Sequence, residues 1–130
     1  MKYLISSRVI LSVILICAML MLPVSAVSPK YNNLLSIMPS CNISGSGKVE
    51  CGVFVSCTNP SLDLNVTARL YCDDNDYEMW TYSDRCVVDE TETCYVQQGH
   101  EYYFGISVRA TDANGNIIDE CVRYTDLIVY

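Results

Sequence analysis

The stretch Asp63-Leu64-Asn65-Val66-Thr67-Ala68-Arg69-Leu70-Tyr71-Cys72 alternates strictly between apolar and polar positions. Leu64, Val66, Ala68, Leu70 and Cys72 point one way; Asp63, Asn65, Thr67, Arg69 and Tyr71 point the other. A period of two is the mark of a strand covered on one face only. Upstream, Val49, Cys51, Val53, Val55 and Cys57 share a face opposite Lys48, Glu50, Gly52 and Ser56. Downstream, Tyr102, Phe104, Ile106, Val108 and Ala110 repeat the pattern over Glu101–Thr111. Turn residues separate these runs: Ser40–Gly47, Thr58-Asn59-Pro60-Ser61, an acidic turn over Asp73–Asp76, and Asn114-Gly115, a strong hairpin signal. Shorter strands are expected at Leu34–Met38, at Tyr77–Tyr82 with the only tryptophan, Trp80, and at Thr93–Val96. Ser83–Glu92 reads as a polar loop with an irregular strand around Val87, and Ile117–Tyr130 as a long last strand bulged near Glu120. No segment sustains a helical period. Six to seven short strands in about 100 residues read as one all-β sandwich.

Before this domain stands a stretch of another kind. Lys2 and Arg8 form a positive region, Val9–Leu22 an apolar one, and Pro23-Val24-Ser25-Ala26 a small-residue cleavage site. These are the parts of a secretory signal, and about 14 apolar residues fall short of the roughly 20 that span a bilayer. The expectation is a signal peptide over residues 1–26 and a lead-in with a weak first strand over 27–40. The sandwich domain then occupies 41–130, and the protein is secreted or on the cell surface with no stable membrane span after cleavage.

Composition narrows the partners. Eight Lys+Arg against 15 Asp+Glu give a net charge of −7, which argues against nucleic acid and anionic membranes. One histidine in the chain excludes His-rich zinc chemistry. Seven cysteines follow Ala26, and in an exported chain of this size they read as disulfides. No pair stands at C-x-x-C spacing. The candidates are Cys41, Cys51, Cys57, Cys72, Cys86 and Cys94, with Cys121 the free thiol expected from an odd count. Cys51 and Cys57 lie roughly 20 Å apart on one strand face and cannot bond each other. Cys72–Cys86 is the pairing expected first, with Cys41–Cys51 or Cys57–Cys94 as alternatives.

Val96, then Gly99-His100-Glu101-Tyr102, then alternating Phe104, Ile106, Val108 and Ala110 resemble the fibronectin type III signature before and along strand F. The resemblance implies an immunoglobulin-like or fibronectin III-like β-sandwich. It also implies a corner tyrosine at Tyr102, ring in the core and hydroxyl bonded to upstream backbone, with Trp80 in the facing sheet. The wider chain resembles small exported proteins of Gram-positive bacteria of unassigned function. Gly47–Cys51, Leu70 with Trp80, Gly99–Tyr103, Asp112–Asn116 and Leu127–Tyr130 carry that similarity.

Four constellations bear on chemistry. A cysteine nucleophile needs a base held within reach; His100 has Cys94 nearest in sequence, but a strand end and a turn need not meet. Asp73-Asp74-Asn75-Asp76 and Asp112-x-Asn114-x-Asn116 offer oxygen ligands, yet lack the glycine and glutamate positions of a calcium loop, and Asp and Asn are ordinary turn residues. Asn42 and Asn65 sit in glycosylation sequons, relevant to a eukaryotic source. Tyr71, Tyr77, Tyr82, Tyr95 and Tyr103 fall at outward or edge positions and can form a binding face. The expectation is therefore a non-catalytic exported module that binds a protein or carbohydrate ligand, without metal or cofactor. The alternative is a secreted, disulfide-braced inhibitor or effector using a loop such as Ser83–Glu92.

Overall fold

The computed structural model describes residues 32–130. The expected signal peptide, residues 1–26, and the start of the lead-in lie outside the described residues. No helix among the described residues is long and apolar enough to cross a membrane. Eight strands make the fold: β1 (Leu34–Ile43), β2 (Lys48–Cys57), β3 (Asp63–Cys72), β4 (Asn75–Arg85), β5 (Val87–Tyr95), β6 (Glu101–Thr111), β7 (Ile117–Tyr124) and β8 (Ile128–Val129). They form two antiparallel sheets, one ordered β1-β2-β5 and the other β4-β3-β6-β7, with the short β8 paired to the start of β6. The protein is an all-β sandwich.

The three alternating runs are the central strands, and their apolar faces are the core. Val49, Cys51, Val53 and Val55 of β2 meet Leu64, Val66, Ala68 and Leu70 of β3 and Tyr102, Phe104, Ile106, Val108 and Ala110 of β6, all at most 2% exposed. Burying such a side chain stabilises the fold by about 1.5–3 kcal/mol. The edge strands β4 and β5 show no comparable period. In β4 all residues from Asn75 to Met79 are exposed, and in β5 Val88 is the one fully buried residue. Charged residues along these edges blunt pairing with other chains.

Several expectations are corrected by this architecture. Eight strands replace the six to seven read from sequence. β1 is ten residues long and runs through Ser40 and Cys41 to Ile43, so the first turn shrinks to Ser44–Gly47. Ser83–Glu92 is not a loop: β4 continues to Arg85 and β5 begins at Val87. The chain passes from one sheet to the other at the single residue Cys86, which holds φ at 65°. Its N–H donates to the Leu62 carbonyl and its carbonyl accepts from Cys57 N–H. That backbone anchoring lets a non-glycine residue occupy the left-handed region. The inhibitory loop expected at Ser83–Glu92 therefore has no counterpart.

The acidic turn is tighter than expected. Cys72 pairs with Asn75, leaving Asp73 and Asp74 as a two-residue hairpin turn at φ 48° and 64°, the torsions a primed turn demands. The last strand divides: β7 ends at Tyr124, Thr125 bonds both backbone groups of Phe104, and β8 resumes beside Glu101 and Tyr102. The register shift falls between Ala110 and Thr111 of β6, opposite Asp119 and Ile117. Trp80 lies in β4, in the same sheet as Tyr102, and its ring meets Phe104 edge-on at 6.4 Å.

Tyr102 takes the corner geometry. Its ring is 1% exposed, its hydroxyl donates to the Gln97 carbonyl at 2.9 Å, and it accepts from Gln97 N–H at 3.1 Å.

Candidate functional site

The outer face of the five-stranded sheet is organised around a missing side chain. Gly105 sits in the interior strand β6, opposite Arg69 of β3 on one side and Tyr124 of β7 on the other. A Cβ at Gly105 would come within 2.5 Å of Tyr124 Cδ1 and 2.6 Å of Cε1. Glycine here lets the Tyr124 ring lie across the strand. One row along, Tyr71 and Tyr103 are cross-strand partners whose rings stack at 4.6 Å and 13°. Tyr124 packs against both, at 6.3 Å and 6.0 Å. One row the other way lie Thr67, Ser107 and Val122. Together they enclose a basin of about 250 Å³ floored by Gly105 and walled by Arg69, Tyr71 and Tyr124.

Arg69 is the unusual member. Its Nε is buried and has no hydrogen-bond partner. Arg85 pairs with Asp63 and Arg109 with Glu120, whereas Arg69 has no carboxylate within reach among the described residues. Burial, followed by the Asp74 carboxylate that bonds its hydroxyl, raises the Tyr103 pKa above the usual phenol value.

The structure gathers two of the five expected binding tyrosines, Tyr71 and Tyr103, and adds Tyr124, which lies outside the expected set. The other three lie elsewhere. Tyr82 turns inward and its hydroxyl donates to Glu92 Oε1 at 3.0 Å; burial, then that carboxylate, raises its pKa. Tyr77 donates to the Tyr95 carbonyl and meets Tyr102 edge-on at 6.0 Å. Tyr95 is exposed at the end of β5, in the other sheet. These three correct the expectation of one tyrosine face. Only pairing β6 with both β3 and β7 brings Tyr124 to the basin, so no local pattern marks it.

A second cluster lies at the β3–β4 hairpin. Donor atoms of Cys72, Asp73 and His100 all fall within 4.8 Å of one another. His100 Nδ1 meets Asp73 Oδ2 at 2.6 Å, and Asp73 Oδ1 accepts from Glu101 N–H at 2.9 Å. The Glu101 bond first, then His100, holds the Asp73 carboxyl below its usual pKa. His100 thus partners Cys72 and Asp73 in space, not Cys94. A thiol, an imidazole and a carboxylate could together hold a divalent ion such as zinc. The hydrogen bonds show their present role, tying the hairpin to the start of β6. At the other candidate cation loop, Asp112 Oδ1 accepts from the N–H groups of Asn114 and Asn116, and Oδ2 from the Asn116 amide. These bonds lower the Asp112 pKa, Asn116 contributing most, and close the turn.

All seven cysteines of residues 32–130 are thiols in the structure. The expected Cys72–Cys86 pair is corrected: Cys72 lies at the hairpin end of β3 and Cys86 beyond Asp63 at the far end. Nine residues of strand separate them by about 30 Å, against the roughly 7 Å a disulfide tolerates. Cys57–Cys94 is excluded likewise, since Cys94 stands opposite Val49, eight residues from Cys57. Cys41 and Cys51 are directly opposed across β1 and β2, with Sγ atoms 3.9 Å apart. Their contact lowers the Cys41 pKa and raises that of Cys51. Cys86 Sγ lies 3.2 Å from the Cys57 carbonyl. Burial first, then the Cys86 thiol, pushes the Cys57 thiol up to about 11. Cys121 is 4% exposed on the core face of β7. Asn42 and Asn65 are both exposed, and Asn65 Oδ1 accepts from Ser83 Oγ at 3.0 Å.

The chain matches no protein-family model and no curated protein.

Proposed function

We propose that the protein is an exported, non-catalytic binding module that takes its ligand on the outer face of the five-stranded sheet. The observation that carries this reading is the Gly105 basin, lined by the rings of Tyr71 and Tyr124 and by an unpaired guanidinium, with Tyr103 stacked on Tyr71. Tyrosines supply rigid contact area at low entropic cost. A sandwich can stack such rings merely to cover its sheet, and Gly105 makes room for Tyr124 in that cover, but an unpaired arginine contributes nothing to it. The strand order β1-β2-β5 facing β4-β3-β6-β7, with the Tyr102 hydroxyl on Gln97, supports the fibronectin III-like assignment. The signal-like N-terminus and the two neighbouring thiol pairs, Cys41 with Cys51 and Cys57 with Cys86, support an exported chain braced by disulfides. The ligand is a protein or a carbohydrate of the surroundings.

The test is a binding screen of the mature chain on immobilised cell-surface polysaccharides and proteins. A ligand lost with Tyr124→Ala and kept with Tyr95→Ala, on the other sheet, supports this face. The reverse pattern refutes it.

A further inference from the structure

Resting on that reading, we infer that the basin recognises a sugar ring bearing a single carboxylate, with Arg69 as the anion contact. The argument begins with the cost of Arg69 as it stands. A buried guanidinium nitrogen without a partner loses its hydration and receives nothing in exchange. Among the described residues Arg69 makes no hydrogen bond or ion pair, while Arg85 and Arg109 each have an acid. Arginine presents a planar fork of donors that fits a carboxylate with two parallel bonds. Nε is shut off from solvent, so a carboxylate in the basin would bond the outer N–H groups of the fork, which belongs to a residue lining that basin.

Three observations shape the rest of the ligand. The basin of about 250 Å³ lies just below the range of drug-sized pockets, roughly 300–1,000 Å³, so it accepts one ring-sized group. Its walls are the tyrosines Tyr71 and Tyr124, and its border carries the hydroxyls of Thr67 and Ser107. Aromatic faces against the C–H face of a sugar, with hydroxyls at the rim, match a pyranose. A peptide fits less well. Extended peptides add to sheet edges through their backbone, and this basin opens on the face of the sheet over β3, β6 and the edge strand β7, not on the free backbone edge.

Charge sets the last constraint. The chain carries −7 overall, and Asp74 approaches Tyr103, whose ring stacks on the basin's Tyr71. A polyanion is repelled by that field. One carboxylate desolvated against Arg69 gains a short-range, charge-assisted bond that the field does not cancel. The ligand class is therefore a uronic acid unit in an otherwise neutral glycan, not a sulfated or phosphate-rich polymer.

The experiment uses the full mature chain, isotopically labelled, titrated with a galacturonate-containing oligosaccharide and with its methyl ester. The ester keeps the ring and removes the charge. Expected are a shift of the Arg69 guanidinium resonances on adding the acid and binding at least about 10-fold weaker for the ester, the range of a charge-assisted bond. Arg69→Gln should remove that preference while circular dichroism stays unchanged. Tyr124→Ala should weaken both forms. If acid and ester bind equally and Arg69→Gln changes nothing, the carboxylate inference is overturned; loss of both forms with Tyr124→Ala would leave the binding face standing. If neither form shifts basin resonances, the uronate assignment is overturned. A carboxylate peptide that binds in an Arg69-dependent way in place of the sugar overturns it too and keeps the face as the site.

Discussion

Replacing Tyr102 by phenylalanine removes one oxygen from the best-defined polar contact in the core. The ring stays: it is 1% exposed and keeps its edge contacts to Tyr77 and His100. The hydroxyl's two bonds to Gln97, one donated and one accepted, are lost. Each such bond is worth roughly 0.5–1.5 kcal/mol net, and a backbone group left unpaired in a buried site costs about 1–3 kcal/mol. Gln97 itself is exposed, so water recovers part of its bonding. The expected loss is therefore about 1–2 kcal/mol, below the sum of two fully buried bonds. Urea unfolding followed by tryptophan fluorescence should show a lower midpoint at unchanged slope, because the surface exposed on unfolding does not change. For a domain near 100 residues this corresponds to a melting point lower by about 4–8 °C per kcal/mol. Tyr103→Phe is the matched control. Its ring stacks on the outer face and its hydroxyl meets Asp74 near solvent, so the loss should stay below about 0.5 kcal/mol. Equal losses, or a larger one at Tyr103, would refute both the corner geometry and the register of β6.

Four further outcomes are expected. Under oxidising conditions, non-reducing peptide mapping should find Cys41–Cys51 and Cys57–Cys86; the second closes a loop of about 30 residues, worth about 3–4 kcal/mol on the chain-entropy model, and a Cys72–Cys86 peptide would contradict the sheet. Gly105→Ala should push the Tyr124 ring off β6, costing about 1–3 kcal/mol as overpacking does and abolishing ligand shifts at the basin; an unchanged melting curve and unchanged binding would mean the ring does not lie there. Asp73 has its folded pKa depressed, first by Glu101 N–H and then by His100, so its contribution is present above the unfolded carboxylate value near 3.9 and is lost as pH falls through the folded one. Asp73→Asn should flatten that acid limb, and an identical pH profile would show that the hairpin tie adds nothing. Circular dichroism of the mature chain should show strand and little helix; helix above about a third of residues would end the sandwich assignment.

The three central strands are legible in the amino-acid pattern because their two faces meet opposite surroundings. In β2, β3 and β6 one side meets the other sheet and the other meets solvent, so the constraint on each side chain is local and repeats every two residues. The full extent of β4 and β5 is hidden for the same reason. β4 and the first half of β5 expose most residues on both faces, so no period appears and Ser83–Glu92 looks like loop. Nor can turn chemistry announce the passage at Cys86: it depends on Leu62 and Cys57 holding that residue's backbone, and both are distant in sequence.

The sequence alone settled that this is an all-β chain, which side chains face inward on the central strands, and that Tyr102 packs in the core. Which strands stand side by side was decided by tertiary structure. Alternation says which way a side chain points, never which residue stands across from it; that is set by closing the core between two sheets and by register along distant strands. Hence Arg69, Gly105 and Tyr124 make one row although 55 residues of chain run from first to last. Cys72 and Asp73 meet His100 because the β3 hairpin ends beside the start of β6. The cysteine pairs follow the same logic, since Cys72 and Cys86 are near in sequence yet held at opposite ends of β3, while Cys57 and Cys86 meet at the sheet-to-sheet passage.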